Sequence, residues 1–163
     1  MTSTILNNLD TVAVISAGLF TGAALYIGTT QAPALRALGV DEEWRFFPLM
    51  FKKAISLPVL TGTAGLTGVL HGSRIVGATN DRRLWIAAGS VFLAVIPYTL
   101  FGMGPVIKAI LNKDKRSEVS NDQRKDLLDK WNGLHAVRFV SAAVGFSAMV
   151  YGLSRHSSLH LSW

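Results

Sequence analysis

The chain predicts an all-α fold, an integral membrane four-helix bundle with a short interfacial segment in its first loop. Three observations carry that expectation. Half of its 163 residues are hydrophobic and only 16% are charged. Two stretches, of 25 and 24 residues, hold no formal charge. The basic residues behind the net charge of +6 gather between the apolar runs, where lipid headgroups are better partners for them than a nucleic acid.

The spans follow in order. Thr11 to Leu35 and Leu84 to Ile107 are the two uncharged stretches, and each exceeds the roughly 20 residues that cross a hydrocarbon core. Ala54 to Ser73 gives a third, more polar because of Ser56, Thr61, Thr63, Thr67 and His71, so it is expected to be shielded by neighbouring helices. Trp131 to Ser154 gives a fourth, with His135 and Arg138 in its first half. The predicted spans are therefore 11–31, 54–73, 84–107 and 131–154 of a single transmembrane domain. A soluble bundle would alternate apolar and charged faces, and these segments have no charged face. Gly18 with Gly22, Gly68 with Gly72, and Ala142 with Gly145 recur at the spacing that lets helices approach closely in lipid.

The first ten residues lack Lys and Arg, so no basic leader region is visible and the first apolar run is expected to stay as an anchor. Between the first two spans, Trp44, Phe46, Phe47 and Phe51 interleave with Glu42, Glu43, Arg45, Lys52 and Lys53, a composition suited to the headgroup level. Ser120 followed by Gln123 has capping-box spacing, which predicts a helix from about Asn121 running on into the fourth span.

Loop charge sets an expected orientation. One side holds Arg74, Arg82, Arg83 and Arg155. The other holds Arg36, Arg45, Lys52, Lys53, Lys108, Lys113, Lys115, Arg116, Arg124, Lys125 and Lys130, a count of 11 against 4. Both termini are then expected to face away from the cytosol.

Candidate chemistry centres on Arg138, because an ionisable residue within a span costs about 2.5–3.5 kcal/mol on insertion scales and usually faces the bundle interior. Trp131, His135 and Arg138 fall at i, i+4 and i+7 on one helix face, with Asn132 at its edge. Tyr98 and Thr99 after Pro97, and Tyr26, Thr29, Thr30 and Gln31 on the first span, lie at similar depth. Two readings of this layer stand side by side. In one, these groups surround a cavity; in the other, Arg138 snorkels to phosphate and His135 bonds a neighbouring carbonyl. His71 and Arg74 sit near the opposite face and read as interfacial, and His156 and His160 lie in the tail. The chain has no cysteine, no span carboxylate, no histidine pair at i, i+3 or i+4 within a span and no Gly-rich phosphate loop, so no haem, flavin, nicotinamide or metal cofactor is expected.

Pro97-Tyr98-Thr99 with Met103 and Pro105, together with Trp131-Asn132-Gly133-Leu134-His135 and Arg138, resembles the anthrone oxygenase-like family of small membrane proteins, from Gly18 to Gly152. Members often carry a Thr-Asn pair where this chain has Val106-Ile107. The resemblance implies a membrane-embedded monooxygenase of secondary metabolism that converts a polyketide anthrone to an anthraquinone, with molecular oxygen as co-substrate and no cofactor. The residues can support that reaction as a hypothesis: neutral His135 as general base, because an imidazole titrates near the working pH, Arg138 as the group that stabilises the enolate, and Tyr98 as an orienting phenol. Trp131 and Trp44 would stack on the rings, with Asn132, Thr99 and Tyr26 also lining the substrate site. Membrane lipid is the other expected partner, and an oligomer is compatible. The alternative is a non-enzymatic carrier or a scaffold of a biosynthetic complex, in which Arg138 serves packing or lipid contact.

Overall fold

The computed structural model describes residues 8–54, 56–77, 79–112 and 118–159, the side chains of 156–159 excepted. Lys113, Lys115, Arg116, the His156 side chain and His160, which entered the reading above, lie outside the described residues. Every described element is helical. α1 (Leu9–Tyr26) continues through a π-helical turn, Ile27–Gln31, into α2 (Ala32–Leu38). Gly39, at φ +109°, ends that run in the left-handed region that glycine adopts without strain. α3 (Val40–Lys53) and α4 (Ser56–Arg74) follow. α5 (Thr79–Pro97) passes through a second π turn, Tyr98–Met103, into α6 (Gly104–Leu111), and α7 (Asn121–Leu159) closes the bundle.

Three helical runs are long and apolar enough to cross a membrane: Leu9–Leu38, Thr79–Leu111 and Asn121–Arg155. The pair α3 and α4, bent by 50°, makes a fourth when it is counted as one broken span. Ile15, Leu19, Leu66, Leu70, Val140 and Val144 point outward, an apolar exterior that a soluble domain does not carry. The chain is a multi-pass membrane protein. The polar third stretch satisfies itself: Thr61 and Thr67 donate to the carbonyls of Leu57 (2.9 Å) and Thr63 (2.6 Å), as lipid-embedded helices require. Its partner is α5, on which Gly65 and Gly68 face Gly89.

The segment expected at the headgroup level forms α3, a 14-residue helix with Asp41, Glu42 and Glu43 in its first turn and Lys52 and Lys53 in its last, each sign at the end where the helix dipole favours it. The expected capping box is present at the start of α7, where the Ser120 N–H donates to Gln123 Oε1 (3.3 Å) and the Gln123 N–H to Ser120 Oγ (3.4 Å). Two apolar clusters fill the interior. One is built on Phe20, Trp85, Phe92, Ala142 and Met149; the other on Trp44, Phe47, Met103, Ile110, Leu128 and Trp131. Along the chain, Thr99 of the second π turn and His135 and Arg138 of α7 fall between the buried members of the two clusters.

Candidate active site

His135 is 1% exposed. Its Nε2 lies 2.9 Å from the carbonyl of Ala24 on α1, and because a carbonyl can only accept, Nε2 carries the proton and donates. Nδ1 is left with a lone pair, which accepts from Arg138 Nη2 at 2.7 Å. The acceptor carbonyl precedes the first π turn, where the Ala32 N–H reaches five residues back to Ile27. Such a turn disturbs the regular helical ladder and is a recurrent feature of functional sites. His135 is thus a neutral bridge that orients Arg138.

Arg138 is half-buried, with its guanidinium 5.9 Å from the centre of the Phe20 ring. Its Nε is buried without a hydrogen-bond partner. Among the described residues no Asp or Glu forms an ion pair with it. A sequestered cation held only by a neutral imidazole and an aromatic face is a costly arrangement, and it leaves the guanidinium free to meet an anion.

Two spaces flank Arg138. An inner cavity of about 360 Å³ is lined by Lys52, Thr99, Trp131 and Arg138 among apolar side chains from the first π turn, α3, α4 and α6. A more open groove of about 460 Å³ between α5 and α7 is lined by Tyr98, Arg138, Ser141 and valines. Both fall in the size range of small-molecule sites, roughly 300–1,000 Å³. Tyr98 donates to the Leu134 carbonyl (3.1 Å), stitching α5 to α7 on the groove side, while the Thr99 hydroxyl donates to Val95 (2.8 Å) and keeps its lone pairs. Trp131 stacks on His135, centroids 5.1 Å apart and planes 22° from parallel.

Arg138, Thr99 and Trp131 therefore meet at the inner cavity, and Tyr98 lies on the other side of Arg138. Three further candidates sit elsewhere. Trp44 is packed in the apolar cluster, with the Arg124 guanidinium 5.8 Å from its ring. Asn132 donates to Glu43 Oε1 (3.2 Å). Tyr26 is exposed beside Gln31 and Lys53 in a separate groove. Asn132 and Trp44 instead belong to a set of contacts that fastens α3 over the cavity. Asp41 pairs with Arg124 (2.7 Å), and Arg36 pairs with both Glu43 (3.6 Å) and Asp129. Lys52, expected at the headgroup level beside Phe51 and not as a site residue, lines the cavity. Ile107, one of the two residues that depart from the family pattern, forms part of the same wall. No group of three or more His, Cys, Asp and Glu residues able to hold a metal ion occurs among the described residues.

The sequence model of a family described as anthrone oxygenase matches residues 47–148, a range that contains Lys52, Tyr98, Thr99, Trp131, Asn132, His135 and Arg138. No curated protein and no solved structure matches the chain.

Proposed function

The chain belongs to the anthrone oxygenase family, and on that premise we propose that it oxidises a polyketide anthrone to the anthraquinone with molecular oxygen, without a bound cofactor. The observation that carries this reading is Arg138, a sequestered guanidinium with no carboxylate partner on the wall of an apolar cavity. An anthrone is planar and apolar, and it dissolves in lipid. Loss of a proton from the carbon opposite its carbonyl gives an aromatic enolate. Arg138 stabilises that anion as its negative charge develops.

The enolate transfers an electron to oxygen, and recombination forms a hydroperoxide at the same carbon. Loss of water from the hydroperoxide leaves the quinone, so one anthrone and one O2 give one anthraquinone and one water. Trp131 offers an aromatic face to the rings. Tyr98 holds the seam between α5 and α7 through Leu134. His135 takes the proton at Nδ1, which becomes free when Arg138 turns its guanidinium from the imidazole toward the enolate oxygen.

This coupling is testable at one residue. His135→Ala is expected to lower turnover by about 10²–10⁴-fold, the range for a lost general base. His135→Gln separates two roles, since a glutamine can donate to Ala24 and accept from Arg138 but cannot take the proton. Turnover in His135→Gln close to that of the native protein would leave His135 as a positioning residue only. The reaction itself is tested by oxygen consumption of the purified protein with an anthrone and a chelator. No rate above the spontaneous background favours a carrier or scaffold.

The basic residues support placing the loops that carry α3 and the start of α7 in the cytosol. A reporter at the C-terminus is then expected to behave as non-cytosolic, and cytosolic behaviour reverses the topology.

A further inference from the structure

Resting on the reading of the inner cavity as the substrate site, we infer that Lys52 is a specificity-determining residue. It selects planar aromatic ligands that carry a second acidic group, a carboxylate or an ionised phenol. Two cationic side chains line the cavity, exposed Lys52 at its mouth and half-buried Arg138, and among the described residues no Asp or Glu does. Between the cations the wall is apolar, with Ile27, Leu57, Pro58 and Ile107 beside Trp131. The space accepts a greasy plate with negative charge on its rim.

The acidic residues of α3 are committed elsewhere. Asp41, Glu42 and Glu43, all in its first turn, pair with Arg124, Arg45 and Arg36 respectively. Lys52 is in the last turn and has no ion pair among the described residues. An ammonium at the edge of a low-dielectric cavity attracts an anion more strongly than one in bulk water does. Arg138 meets a charge that develops during the reaction, whereas Lys52 would meet one already on the ligand. Its contribution is the same in ground and transition states, so it lowers KM and leaves kcat unchanged.

The same ammonium could instead pair with an anionic lipid headgroup, and the experiment separates the two sources. The native protein and Lys52→Met, in phosphatidylcholine nanodiscs, are titrated with anthraquinone-2-carboxylate and with its methyl ester. Binding is read by equilibrium dialysis above the partition into protein-free discs. The native protein is expected to prefer the carboxylate by about tenfold, in line with one charge-assisted contact. Lys52→Met is expected to lose that preference and keep its affinity for the ester within about twofold, which also reports an intact cavity. Repetition in discs containing phosphatidylglycerol is expected to leave the native preference in place.

Equal binding of the two probes by the native protein overturns the inference. So does a preference that survives in Lys52→Met. Disappearance of the preference in phosphatidylglycerol assigns Lys52 to the headgroups and overturns it as well. A protein with the carboxylate preference that oxidises no anthrone keeps the inferred selectivity and loses the proposed reaction. One that oxidises anthrones with no charge preference does the reverse.

Discussion

Arg138→Met lowers the kcat for anthrone oxidation by about 10²–10³-fold, the loss typical of removing one group that stabilises developing negative charge. Among the described residues the native guanidinium is bound only to the neutral Nδ1 of His135, has a buried Nε without a partner and lies against Phe20. None of these contacts neutralises it. Burial of an uncompensated charge destabilises a fold, and an apolar side chain of similar size in its place is often neutral or stabilising. The melting temperature of Arg138→Met in detergent is therefore expected to be unchanged or raised while activity falls. That opposition of stability and activity marks a residue kept for function. A structural or lipid-snorkelling arginine predicts the reverse pair of results: a lower melting temperature with turnover retained. Arg138→Lys should recover only part of the rate, because an ammonium cannot reproduce the planar fork that now reaches Nδ1.

Gly89→Val has the largest expected effect on stability. A Cβ at Gly89 would lie 2.7 Å from the Val69 nitrogen and 2.8 Å from the Gly65 oxygen, both backbone atoms. Neither can swing aside as a side chain can, so α4 and α5 must move apart along their contact. Packing is the main source of helix association in lipid, and overfilling a tight contact costs about 1–3 kcal/mol, occasionally more. The upper end is expected here, read as a lower melting temperature or as loss of the folded protein from membranes. Gly22→Ala is the control, since nothing lies within 4 Å of a Cβ there and alanine is favoured over glycine in a helix by roughly 1 kcal/mol. Equal stability of the two variants would remove close α4–α5 packing as the organising contact of the bundle.

The contrast between those glycines shows what spacing can convey. Gly18, Gly68, Gly72 and Gly145 do meet neighbouring helices closely, at Phe146, Met149, Ile86 and Phe92 respectively, whereas Gly22 meets none. Gly89, whose backbone meets that of Gly65 and Val69, has no small-residue partner three or four residues away that would have marked it. Helical periodicity names a face of one helix; it does not say which face of another lies opposite. The interfacial helix was legible because its aromatic and charged residues alternate locally. The capping box of α7 was legible for the same reason, as its two partners stand three residues apart.

The chemistry layer divides along the same line. Trp131, His135 and Arg138 share a face by helical geometry, and their neighbourhood follows directly from their numbers. Asn132 reaches Glu43, 89 residues away, and His135 reaches Ala24, 111 residues away; no local pattern encodes either contact. For that reason the contacts of Asn132 with Glu43 and of Trp44 with its apolar cluster, and the place of Lys52 on the cavity wall, could not be read from either segment alone.

By itself the sequence determined that the chain crosses the bilayer several times, where its amphipathic helix and capped long helix lie, and that a guanidinium and an imidazole share one helical face. These are consequences of hydropathy and of a period of 3.6 residues, both written along a single segment. Only the tertiary structure decided that the imidazole lone pair is capped by Arg138, that Arg138 pairs with no carboxylate among the described residues, and that α3 brings Lys52 to the cavity wall. Those outcomes depend on which surfaces of distant helices pack together, and that choice is made by the shapes of all the side chains at once.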